Sequence, residues 1–111
     1  MSASKLFDPI TPGEILREDF MEPLGISINK LSRELSVPPN RISEIVNGKR
    51  SITTDTALRL QRYFGVEAQF WLNLQTEYDL RIMKRKIWSD IEQRIIPAQA
   101  SKTLSENSPM A

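Results

Sequence analysis

The sequence contains no cysteine and no histidine. The first absence removes disulfides, thiolate zinc sites, iron–sulfur clusters and cysteine nucleophiles. The second removes the Ser-His-Asp triad, imidazole metal sites and the commonest general base. Catalysis is therefore disfavoured, and no cofactor and no metal are expected. Long apolar runs are also missing: no window approaches the roughly 20 residues of a membrane-spanning helix. The opening Met1-Ser2-Ala3-Ser4-Lys5 leads into Leu6-Phe7-Asp8-Pro9 and not into an apolar signal run. These features predict a soluble, cytoplasmic protein with no membrane partner. With 111 residues, 40% of them hydrophobic, the chain has the size of one ordinary domain.

The net charge of +1 is unevenly spread. Residues 1–27 set two cations against five anions, residues 28–62 set seven cations against three anions, and residues 63–111 balance. A basic middle in a nearly neutral chain suggests a local anion-binding face, although a solvated helical surface has the same composition.

Residues 1–11 read as an N-terminal arm. Thr11-Pro12-Gly13-Glu14 is a helix start, with a hydroxyl cap, a proline at the first position and an acid in the first turn. Ile15, Leu16 and Phe20 form its apolar face, and Pro23-Leu24-Gly25 ends it. Ser27 caps a second helix to about Ser36, with Leu31 and Leu35 inward and the break assigned to Pro38-Pro39. Pro39 starts a third helix to about Asn47, with Ile42, Ile45 and Val46 inward and Gly48 in the left-handed position after it. Thr53 caps a fourth, with Ala57, Leu58, Leu60 and Phe64 on its apolar side. A fifth starts near Glu67 and carries Phe70, Trp71, Leu74 and Tyr78, its pattern continuing through Ile87, Trp88, Ile91 and Ile95 to Pro97. The predicted fold class is all-α. Residues 12–80 form the domain, 81–96 a C-terminal helical extension, and the small, polar stretch 97–111 a disordered tail.

The informative unit is the pair of short helices around Val37-Pro38-Pro39. In a helix-turn-helix the second helix enters the major groove, roughly 12 Å wide. Its outer face here offers Asn40, Arg41, Ser43, Glu44 and Asn47. Asparagine pairs with adenine and arginine with guanine, while Lys49 and Arg50 come next, where phosphates would lie. An ordinary helical hairpin with a polar surface fits the same pattern. Phe70, Trp71 and Tyr78 are better read as packing than as a platform for bases. The acids Asp8, Glu14, Glu18 and Asp19 lack the spacing of a cation-binding loop. The apolar stripe of Ile87, Trp88, Ile91 and Ile95 suits either a second copy of the chain or a partner protein.

From Pro12 to about Leu80 the chain resembles the HigA antitoxin family, the VapI-type branch of the Xre/Cro-like helix-turn-helix regulators. The resemblance rests on Pro12-Gly13-Glu14-Ile15-Leu16-Arg17-Glu18, Pro38-Pro39-Asn40-Arg41-Ile42-Ser43 and Asn47-Gly48-Lys49-Arg50. It continues through Ile52-Thr53-Thr54-Asp55-Thr56-Ala57-Leu58-Arg59-Leu60 and Phe64-Gly65, followed by Phe70-Trp71-Leu72-Asn73-Leu74-Gln75. It implies a compact, lambda-repressor-like bundle and an antitoxin of a type II toxin–antitoxin module. Such a protein binds double-stranded operator DNA as a homodimer, represses its own operon and neutralises a HigB-type mRNA-cleaving toxin. The alternative is a stand-alone Xre-family repressor without a toxin. Position by position, the resemblance places DNA binding on Asn40, Arg41, Ser43 and Asn47, and phosphate contact on Lys49 and Arg50. Ile28 stands where relatives often have a glutamine that meets the DNA backbone. Glu67-Ala68 stands where they have Ser-Pro.

Overall fold

Thr11 starts the first helix by a reciprocal bond: its Oγ1 accepts from the Glu14 backbone N–H at 3.1 Å, and Glu14 Oε1 accepts from the Thr11 N–H at 3.2 Å. In the computed structural model, which describes residues 8–99, this helix (α1) has three contiguous pieces. Pro12–Ile15 and Glu22–Leu24 are α-helical, and Leu16–Met21 between them is π-helical. The Glu22 N–H donates five residues back, to the Arg17 carbonyl. The widened turn has a physical cause in Pro23, which has no N–H and whose ring would strike a carbonyl four residues back in a regular helix. Gly25 then closes α1 in the left-handed region, with φ 66°.

Helix α2 spans Ile28–Leu35, capped by Ser27 Oγ accepting from the Lys30 N–H at 3.0 Å. It stops at Ser36, as the sequence suggested, and Ser36 itself adopts φ 59° two residues ahead of Pro38-Pro39. A left-handed non-glycine residue costs roughly 1–2 kcal/mol. Arg59 offsets part of that cost, because its Nη1 donates to the C-terminal carbonyls of Leu35 at 2.7 Å and Ser36 at 3.3 Å.

Helix α3 (Pro39–Val46) begins after three residues, α4 spans Thr54–Phe64, and α5 spans Ala68–Arg94. These five helices, with no strand among the described residues, make the fold all-α. Thr53 occupies the capping position of α4, but its side chain makes no capping bond. At α5, Gln61 Oε1 of α4 accepts from the Ala68 N–H at 2.7 Å, so a neighbouring helix caps the start that Glu67-Ala68 caps poorly.

The described residues up to Arg81 form one unit. Its core centres on Leu16, Leu31, Ile42, Ile45, Leu60 and Trp71, all essentially inaccessible to solvent. Phe20 packs on Trp71 with ring centroids 4.7 Å apart, and on Phe64 at 5.2 Å, so the aromatic residues serve packing. Leu58 faces outward and is 54% exposed, because Thr56, Ala57 and Leu60 occupy the inward stripe of α4. The second unit starts at Ile82 and comprises the rest of α5 and the described residues after it. Ile87, Trp88 and Ile95 are exposed there. The expected boundary at residue 80 falls inside a continuous helix. Residues 1–7 of the expected arm and 100–111 of the expected tail lie outside the described residues.

Candidate nucleic-acid interface

Three residues, Ser36-Val37-Pro38, join α2 to α3. Ile42, Ile45 and Val46 bury the inner face of α3. Burying those three side chains leaves one line along α3 and its C-terminal cap pointing out: Asn40, Ser43 and Asn47, spaced three and four apart. Asn40 and Asn47 are exposed and Ser43 is half-buried. No group among the described residues bonds the Asn40 side chain. Asn47 Nδ2 donates to the Ser43 carbonyl at 2.9 Å, which fixes the amide at the helix end. Beside this line, Ser27, Ile28 and Asn29 at the start of α2 form a shallow depression with Pro39, Asn40 and Ser43. Ile28 is half-buried there.

Arg41 lies to one side of the line. Its Nη1 pairs with Asp55 Oδ2 and lies 3.5 Å from Thr56 Oγ1, both on α4. Arg59 Nε donates to the same Asp55 oxygen at 3.0 Å. The Arg59 hydrogen bond, then that from Arg41, hold the Asp55 carboxyl below the ordinary carboxylate range, against a smaller desolvation effect in the other direction. One carboxylate thus ties α3 to α4, and Arg59 ties α4 to the end of α2. The spacing of Asp55 and Arg59 on α4 is visible in the sequence; their link to Arg41, fourteen residues before Asp55, is not.

The loop after α3 carries Lys49 and Arg50, both exposed. Lys49 makes no side-chain bond among the described residues. Arg50 pairs with Glu44, Nη2 to Oε1 at 2.7 Å. Gln75 holds the end of this loop from beneath. Its Oε1 accepts from the Ile52 N–H at 2.8 Å, and its Nε2 donates to Asp79 Oδ1 at 3.0 Å. Gln75 is 8% exposed, a buried polar side chain whose two ends are both satisfied. Nothing in its local sequence signals that role, apart from a polar residue on the otherwise apolar stripe of Trp71, Leu74 and Tyr78.

The six expected site residues therefore fall on one stretch of surface in two states. Asn40 and Lys49 are uncommitted, whereas Arg41, Asn47 and Arg50 each have an intramolecular partner. Ser43 accepts from Asn47 only through its backbone carbonyl, and no bond to its hydroxyl is made among the described residues. Among the described residues no group of acids is arranged to hold a metal ion, and no helix is long and apolar enough to cross a membrane.

Residues 18–71 match the helix-turn-helix family HTH_3. Virulence-associated protein I of Dichelobacter nodosus is 57% identical over 76 residues, which are 68% of this chain and 70% of that protein. The solved structure of Pseudomonas aeruginosa antitoxin HigA with the higBA promoter superposes with a TM-score of 0.79 at 44% identity, covering 81% of this chain and 98% of that one. A HigA-family addiction-module antidote protein from Coxiella burnetii gives 0.77 at 47% identity, with coverage of 81% and 98%. The chain belongs to the HigA antitoxin family of Xre-type helix-turn-helix regulators, which are DNA-binding proteins and not enzymes.

Proposed function

We propose that the protein is the antitoxin of a type II toxin–antitoxin module. It binds operator DNA as a homodimer, represses its own operon and neutralises a HigB-type mRNA-cleaving toxin in the cytoplasm. One observation carries the DNA part: Asn40, Ser43 and Asn47 form an outward polar line on a helix whose opposite face is locked into the core. A relative of the same fold has been solved with the higBA promoter.

In this reading α3 lies in the major groove. Asn40 offers a donor and an acceptor to adenine, and Ser43 and Asn47 meet the next base edges. Lys49 and Arg50 neutralise phosphates beside the groove. The depression at the start of α2 receives the neighbouring phosphate against free helix N–H groups. Arg41 reaches guanine only by exchanging the Asp55 carboxylate for the base, so its net contribution is smaller than that of an unpaired arginine. One helix reads too few base pairs for strong selection; a two-fold dimer reads a palindrome with half-sites about 34–36 Å apart or a multiple of that.

The test is retention of DNA from the gene's own upstream region, with coexpression of the protein encoded beside it. Selective retention, together with rescue of cells from that neighbour even by Arg41→Ala/Lys49→Ala, is the expected result. Retention without rescue by the wild-type chain would leave a stand-alone repressor.

A further inference from the structure

Between α1 and the first half of α5 lies a cleft of about 660 Å³. It shares no lining residue with the depression beside Asn40. Its charge is opposite to that of the basic stretch around Lys49 and Arg50. Four acids line it, Asp8, Glu14, Glu18 and Glu77, and Arg81 is the one cation among the described residues of its wall. Its apolar part comes from Ile15, Leu74 and the Tyr78 ring, and the 64%-exposed Ile10 also lines it.

Three of these acids keep carboxylate oxygens available. Glu77 has no ion pair among the described residues. Glu14 uses one carboxylate oxygen on the Thr11 N–H. Glu18 meets Arg17 at 3.4 Å, but both side chains are at least 40% exposed, and such a pair is readily exchanged. Even with Asp8 set aside, Glu14, Glu18 and Glu77 against Arg81 leave a net charge of about −2 that repels nucleic acid phosphates, which sets this surface apart from the DNA face. A wall of Ile15 and Leu74 below carboxylates suits one kind of side chain: the aliphatic stem of arginine or lysine lies on the apolar wall while its cationic head reaches the acids.

We infer that this cleft is the docking surface for the toxin, and that it takes an arginine- or lysine-bearing apolar segment of that protein; the inference rests on the antitoxin reading. An mRNA-cleaving protein must hold a polyanion and therefore presents cations, so the charges of the two surfaces are complementary. Because the cleft and the Asn40 line share no residue, toxin and operator are held at the same time.

The experiment measures binding of the neighbouring gene's product and of operator DNA to wild type, Glu18→Lys/Glu77→Lys and the milder Glu18→Gln/Glu77→Gln. The reversal is expected to weaken toxin binding about 100-fold, the neutral pair about 10-fold, with operator retention changed less than about twofold. Wild-type toxin affinity should also fall steeply as salt rises from about 0.1 M to about 0.5 M. Unaltered toxin affinity in both variants, with operator binding intact, would overturn the cleft and leave the antitoxin reading standing. If the wild-type chain itself fails to bind the neighbour, the antitoxin reading falls and the cleft proposal falls with it.

Discussion

A β-carbon built on Gly13 would lie 1.7 Å from the Ile45 carbonyl oxygen. The first turn of α1 therefore touches the backbone of α3, the helix assigned to the major groove, with nothing between them. Glycine is there for close approach, since its backbone is ordinary helix. An alanine in a helix normally gains about 0.5–1 kcal/mol over glycine. Here the sign reverses, because backbone must move. Gly13→Ala should destabilise the fold by about 2–3 kcal/mol or more, read from urea unfolding. Gly25→Ala, at φ 66° but with no atom within 4 Å, should cost only the left-handed penalty of roughly 1–2 kcal/mol. A Gly13→Ala protein as stable as wild type would mean that α1 and α3 pack otherwise.

Arg41 and Lys49 should behave differently on DNA. Arg41→Ala should relax selectivity at one position per half-site and cost up to about 1–3 kcal/mol, toward the lower end because Asp55 holds the side chain in the free protein. Lys49→Ala should weaken cognate and random DNA alike and reduce the salt slope by about one unit for each phosphate it no longer neutralises. Titration of base-substituted sites at several salt concentrations separates the two. Equal selectivity profiles would show that the roles are misassigned.

Asp55 gives the fold an acid-sensitive link. Its carboxyl sits below the ordinary range in the folded state, so it stabilises the fold above the unfolded-state value of about 3.9. That contribution disappears as pH falls through the lowered folded-state value. Asp55→Asn should therefore be less stable than wild type at neutral pH, with the difference narrowing under acid. Unfolding midpoints between pH 7 and about pH 2 test this, and a constant gap would remove Asp55 as the cause.

Gln75 supports the loop that presents Lys49 and Arg50. Replacing it with leucine leaves the buried Ile52 N–H without an acceptor, a loss of about 1–3 kcal/mol. Operator affinity should fall as well, because the loop loses its anchor although no expected DNA-facing residue is replaced. Calorimetry alongside DNA titration measures both effects.

The parts of the fold that depend on neighbours along the chain are legible in the sequence. Thr11, Pro12 and Glu14 announce the start of α1, and the alternation of Ile42, Ile45 and Val46 with polar residues assigns the two faces of α3. The parts that are not legible depend on contacts across the fold. Ser36 adopts a left-handed conformation that its residue type disfavours, and Arg59, twenty-three positions later, satisfies its carbonyl. The Asp55 bridge to Arg41 and the Gln75 bridge to Ile52 have the same character. Gly13 is a partial signal, since a glycine in a helical first turn is costly unless something passes close by. Leu58 misleads for the opposite reason: an apolar residue at plausible spacing faces solvent because α4 already fills its inward stripe.

In the proposed function, the line Asn40–Ser43–Asn47 reads operator sequence. The most direct measurement is a base-substitution profile of the upstream site for wild type and Asn40→Ala, with footprinting to locate the half-sites. Readout by this line predicts two symmetric half-sites about 34–36 Å apart or a multiple of that, and a loss of preference confined to one symmetry-related base pair in the variant. An Asn40→Ala profile identical to wild type, or protection with no preference for the upstream site, would contradict it.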